Sequence, residues 1–167
     1  MTERVSSDPN LHLLGDLDAF RTHALEMTAH AQRSIDILSA ELDFPLYNQE
    51  GFQQALSALA RRSRNSRIRI LVKSTQPMVE KGHLVAQLAQ RLPSKLQIRR
   101  LNQPPQDDAM AYLIADRELL LYKNDEEQYQ GFANYAARPE ARRLLEEFTY
   151  LWEQQARPDP QLRLLTL

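Results

Sequence analysis

Two short apolar runs, residues 112–115 and 119–122, flank Asp116-Arg117-Glu118, a polar break too short for anything but a tight turn. The segment reads as a β-hairpin, although the turn lacks the Asn-Gly or Asp-Gly pair that usually closes one. Ahead of it, helical and extended patterns alternate. Asp16 or Asp18 caps a helix running to about residue 33, with Phe20, Ala24, Met27 and Ala31 at spacings of three and four. Residues 34–40 read as a strand, 51–62 as an amphipathic helix, and 68–72 as a strand apolar enough for a sheet interior. A helix from about 78 or 81 to 92 and a strand over 96–101 follow. After the hairpin comes a polar run, 124–130, then a last helix from Pro139 to about 155. This order predicts an α/β fold: a mixed, mostly parallel sheet flanked by helices on both faces. The expected domain spans 16–156, between a flexible tail over 1–15 and a C-terminal tail over 157–167.

Composition narrows the function more by exclusion than by suggestion. The chain has no cysteine, which removes disulfides, Cys-ligated zinc, iron–sulfur clusters and a thiol nucleophile. Its net charge of −1 supplies no global field towards nucleic acid or anionic lipid. No apolar run reaches the length of a membrane span, and the first residues do not read as a signal peptide, so the expectation is a cytoplasmic protein without membrane partners. None of the glycines are spaced as a phosphate loop, and no cofactor is expected. His23 and His30, seven residues apart on one helix, lack the i, i+4 spacing of a helical metal pair, and no metal site is expected.

The hairpin resembles the one that carries the His-x-Lys-x4-Asp motif in the phospholipase D superfamily, in its single-motif bacterial type. Asp116 stands at the Asp position, Ala111 where the Lys belongs and Ala109 where the His belongs. The likeness extends to an "Ala-x-x-Ser-Ile-x-Ile" element at Ala31 to Ile37 and a "Phe-x-x-Leu-Trp" element at Phe148 to Trp152. It covers about residues 16 to 155 and implies one half of a phospholipase D-like fold. In active members one His attacks phosphorus, a second protonates the leaving group, and Lys neutralises the phosphoryl oxygens. Alanine can do none of this. The resemblance therefore implies a non-catalytic relative in which Ala109, Ala111 and Asp116 are vestiges, Asp116 serving as a turn former. Because single-motif members pair across a two-fold axis, it also implies a candidate homodimer, to which the apolar tail at 162–167 would contribute if it does not fold back on the core.

Three sites remain as candidates. Open α/β sheets bind ligands beyond the C-terminal ends of their strands, and Asp43, Tyr47, Lys73, Ser74 and His83 fall there as a candidate rim for a small anionic ligand or a partner protein. Arg61, Arg62, Arg64, Arg67 and Arg69 form the densest basic run, a candidate patch for nucleic acid that lacks interleaved aromatics. Lys81, His83 and Asp116 are the remaining crew for a phosphodiesterase or nuclease with relocated residues. The favoured expectation is a non-enzymatic binding or regulatory module. A relocated hydrolase and a nucleic-acid-binding accessory domain are the alternatives.

Overall fold

Ile35 and Ile37 point one way from their strand, and Asp36 and Leu38 the other. The next strand repeats this, with Ile68, Ile70 and Val72 against Arg69 and Leu71. Strands buried on both faces need helices on both faces. The computed structural model, which describes residues 8–103 and 110–162, places them there. Among the described residues the order is β1 (Leu11–Leu14), α1 (Leu17–His30), β2 (Ser34–Ser39), α2 (Phe44–Tyr47), α3 (Glu50–Arg62), β3 (Arg67–Val72), α4 (Gln76–Lys81) and α5 (Leu84–Arg91). Then come β4 (Leu96–Leu101), β5 (Ala111–Ala115), β6 (Leu119–Asp125), β7 (Gln128–Asn134), α6 (Arg138–Gln154) and β8 (Ala156–Pro158). One sheet runs β1-β7-β6-β5-β2-β3-β4-β8. Residues of α1, α3 and α5 fill the core on one face, and α6 covers the other with Ala141, Leu145, Phe148, Leu151 and Trp152.

The mixed sheet and its two helical faces match the sequence, but the sheet is not mostly parallel. Parallel pairing is confined to β2–β3 and β3–β4, and every other neighbouring pair is antiparallel. The reason lies in the connections: β5, β6 and β7 follow one another through tight turns, which only antiparallel strands allow. Both expected tails also need correction. Residues 11–14 form edge strand β1 on β7, and 156–158 form β8 on the opposite edge. Strand β7 replaces part of the expected polar loop. It alternates half-buried with exposed positions and buries only Ala133 fully, so it carries little apolar signal. The single helix expected before Leu92 is two helices, broken where Gly82 takes a φ of 77°. Ala109 and the tail residues 163–167 lie outside the described residues. Leu162 packs against the core, and its carbonyl accepts a hydrogen bond from Gln90 Nε2.

The hairpin is present, closed in an unexpected way. Asp116 and Arg117 adopt φ of 55° and 62°, and Glu118 N–H donates to the Ala115 carbonyl at 3.0 Å. Positive φ at both central residues is what a hairpin turn matching strand twist requires, usually at Asn and Gly. Here it is stabilised from outside. The Asp116 carboxylate accepts the backbone N–H groups of Gln32 (2.9 Å), Arg33 (2.8 Å) and Ser34 (3.1 Å), and its own N–H donates to the Ser34 carbonyl at 2.9 Å. Replacing Asp116 by Ala should lower unfolding free energy by about 2–4 kcal/mol, combining three lost charge-assisted bonds with a left-handed alanine. Asp116→Asn, which keeps an acceptor and tolerates the same φ, should cost about half as much in urea denaturation.

Candidate functional site

The rim beyond the C-terminal ends of β2 and β3 is built by a strained loop. Leu42, fully buried, has a φ of 57°, a conformation that costs a leucine about 1 kcal/mol. Two groups hold it: Ser39 Oγ accepts the Leu42 N–H at 3.0 Å, and the Leu42 carbonyl accepts from His83 Nε2 at 2.9 Å. His83 Nδ1 in turn accepts the Val85 N–H at 3.1 Å, capping α5. Both ring nitrogens are thus engaged in the neutral tautomer, in a side chain that is 1% exposed. Burial is the main reason the imidazole pKa falls to about 4, against smaller opposing effects of the Leu42 carbonyl and Asp43. This histidine is a structural clamp.

The clamped loop delivers Asp43. Its Oδ2 accepts from the Tyr129 hydroxyl at 2.5 Å and lies 3.7 Å from Lys123 Nζ. The ammonium also sits 4.3 Å from the centre of the Tyr129 ring, and Lys123 is buried on β6. Burial, then the Asp43 contact, push the Tyr129 phenol up, and burial does the same to Tyr47. In the hairpin register Lys123 stands directly opposite Ala111. The two share, with Phe20, Asp43, Leu46 and Tyr47, a cavity of about 10 Å³. That is room for about one water and not for a phosphoryl group. Gly131 lets β7 approach this point, since a Cβ there would fall 1.9 Å from the Tyr122 carbonyl oxygen.

The remaining rim candidates do not open a pocket either. Lys73 is bonded to Glu126 Oε2 at 2.9 Å, which also accounts for part of the acidic turn between β6 and β7. Ser74 Oγ accepts the Gln76 N–H at 3.2 Å, and the Thr75 hydroxyl donates to Asp159. Asp116 lies at the other end of the strands, beside Ser34, so Lys81, His83 and Asp116 are not a common site. His23 and His30, on one helix, have different partners. His23 contacts Tyr135 OH at 2.7 Å and packs near His12, while His30 bonds the Glu26 carbonyl, and no metal-binding cluster occurs among the described residues.

The basic run 61–69 does not form one patch. Arg61 and Arg62 are exposed at the end of α3, and Arg64 is exposed in the following loop. Arg69 turns inward, where its Nε meets Asp36 Oδ1 at 2.7 Å across β2–β3, with the guanidinium 4.9 Å from the Phe148 ring and 5.8 Å from that of Trp152. Burial raises the Asp36 pKa and Arg69 opposes it. Arg99 and Arg100 do not extend the run: Arg99 donates to the Trp152 carbonyl, and Arg100 pairs with Asp159. Arg67 remains at the surface and lines a depression of about 750 Å³ at the N-terminal ends of β2 and β3, with Arg33, Arg117 and Arg138. An adjoining depression of about 660 Å³ continues along α6 past Arg142. Sequence reading missed both this cluster and Lys123. Hairpin arithmetic around the 115–118 turn places residue 123 opposite 111, and Arg138 and Arg142 have the i, i+4 spacing of one helix face.

A family model described as a domain of unknown function, DUF7931, matches residues 16–165. No curated protein matches by sequence. Solved structures do. TrmBL2, an archaeal chromatin protein whose structure shows a novel mode of DNA binding, aligns with a TM-score of 0.63 at 16% identity, over 87% of this chain and 53% of its own. NucT from Helicobacter pylori aligns at 0.64 and 11%, over 89% of this chain and 97% of its own. Phosphatidylserine synthase from Haemophilus influenzae Rd KW20 aligns at 0.66 and 12%, over 95% of this chain and 40% of its own. The chain thus spans about half the length of the chromatin protein and two-fifths that of the synthase. At these identities the likeness is one of fold, and it is the phospholipase D-like fold that the hairpin and element order imply.

The His83 clamp sets a pH dependence. The unfolded imidazole takes up its proton near its ordinary pKa of 6.5 and the folded one only near 4, so stability is complete above about pH 6.5 and lost as pH falls towards 4. The loss should reach about 3 kcal/mol. In His83→Asn, which keeps a capping side chain, the fall in denaturation midpoint between these pH values should be clearly shallower. An equal slope in both proteins would contradict the clamp.

Proposed function

Because the chain belongs to the DUF7931 family and has a phospholipase D-like fold, we propose that it is a non-catalytic form of that fold, serving as a binding module. The observation that carries this reading is the filling of the motif end. Where the resemblance calls for Lys at 111, the space beside Ala111 is about 10 Å³ and is walled by Phe20, Leu46 and Tyr47. The nearest cation, Lys123, is already neutralised by Asp43 and covered by Tyr129. An ammonium that stabilises developing phosphoryl charge has to face the reacting group. This one faces a carboxylate and a ring. The imidazole closest to the rim spends both nitrogens on the loop and α5.

A small anionic ligand at the rim, proposed from sequence, is less well supported than binding elsewhere, since the polar groups there satisfy one another. Among the described residues no helix is long and apolar enough to cross a membrane. The test is turnover of bis(p-nitrophenyl) phosphate. The purified chain should release nitrophenolate no faster than buffer, and Lys123→Met should change nothing. Turnover that disappears in folded Lys123→Met or Asp43→Asn protein would restore the relocated-hydrolase reading.

A further inference from the structure

The end of the molecule opposite the rim has the reverse character. Four separate segments bring arginines to it: Arg33 from the α1–β2 loop, Arg67 from the start of β3, Arg117 from the hairpin turn, and Arg138 and Arg142 from successive turns of α6. They line the two adjoining depressions, which share Arg117 and Arg138 and together make one track rather than a single pocket. We propose that this track binds a nucleic-acid strand through its phosphates, without reading its bases.

Several features select that ligand. The lining cations are all arginine, whose planar fork matches phosphate oxygens better than an ammonium does. The carboxylates at the site are mostly spent. Both Asp116 oxygens receive backbone N–H groups, and Glu118 Oε1 is held by Arg138 at 3.0 Å. Glu146 in the lining is exposed, as are Glu147 beside it and Glu153 farther along α6. Arg33, Arg67, Arg117 and Arg142 have no ion pair among the described residues. Gathering them costs energy without a bound anion: burial, and the nearby charges of Arg69 and Arg117, lower the Arg67 pKa despite opposition from Asp36 and Glu153. Arg67 lines one depression and Arg142 the other, an arrangement that successive phosphates of a strand could follow. No aromatic side chain lines either depression, so there is nothing for bases to stack on, and binding should be indifferent to sequence. The overall charge of −1 makes the attraction local to this face.

This inference stands whether or not the rim is catalytic, because it uses none of the rim residues. It is tested by fluorescence anisotropy with labelled oligonucleotides of about 20 nucleotides, one oligo(dT) and one of mixed sequence, between about 25 and 200 mM salt. The unmodified chain should bind both with similar affinity, with log Kd rising against log salt at a slope of about 3 for four phosphate contacts. Arg67→Gln/Arg117→Asn/Arg142→Gln should weaken binding at least about tenfold at the lowest salt and bring the slope to about 1. Asn is chosen at 117 because it accepts the positive φ there. The pair Arg61→Gln/Arg62→Gln, exposed on α3 outside the track, should stay within about twofold. Each variant is compared at equal far-UV circular dichroism and denaturation midpoint. Unchanged binding in the folded triple variant, an equal loss in the α3 pair, or binding of inorganic phosphate or a nucleoside triphosphate with none of either oligonucleotide would overturn the proposal.

Discussion

The Asp116 carboxylate, bonded to the N–H groups of Gln32, Arg33 and Ser34, joins two halves that local sequence alone would not align. On one side lies the parallel part, β2-β3-β4, and on the other the antiparallel part, β5-β6-β7-β1. The seam between them is the β2–β5 pairing, in which Ile35 faces Ala115 and Leu38 faces Tyr112. A shift of one residue there would turn Leu113 and Ala115 away from the α1 face and bring Tyr112 and Ile114 onto it. Fixing the turn to the start of β2 removes that freedom. Asp116 thus has a structural task at the seam of the sheet.

One strand further in, Asp36 and Arg69 impose a similar condition between β2 and β3. A buried pair of this kind adds little net stability, because desolvation offsets the attraction, but it penalises any register that separates the partners. Phe148 and Trp152 cover the guanidinium, so the aromatic element at the end of α6 seals the pair as well as filling the core. At the opposite end of the strands, the chain His83–Leu42–Asp43–Tyr129–Lys123 satisfies one polar group with the next. A rim so completed internally has few groups left to recognise anything. The other pole is the converse, with cations brought together from distant segments and few carboxylates to answer them.

Much of this was legible in the sequence where burial and period coincide. β2, β3 and the hairpin declare themselves as apolar runs, and α1, α3 and α6 as amphipathic helices. The edge strands β1 and β8 did not, because they expose half or more of their residues and pair through backbone groups that any sequence possesses, and β7 beside β1 did not because it is half-buried and buries only Ala133 fully. The arginine run misled for a geometric reason. Proximity along the chain put Arg61 and Arg69 together, while helix and strand geometry set one on the solvent face of α3 and the other under α6. The reverse held for Arg33, Arg117 and Arg142, scattered in sequence and collected by the fold. His83 was visible as a histidine near a helix start, but its partner is the carbonyl of Leu42 from a different loop, and no local pattern encodes that contact.

At one end of the sheet the polar groups of the rim satisfy one another, and at the other arginines from four segments line two adjoining depressions. A titration of the 15N-labelled chain with pyrophosphate, followed by amide chemical shifts, addresses both parts at once. The account predicts saturable shifts at Arg33, Ser34, Arg67 and Arg117, with Asp43, Ala111, Lys123 and Tyr129 unmoved. Shifts centred on Lys123 and Asp43, with the arginine face silent, would contradict it.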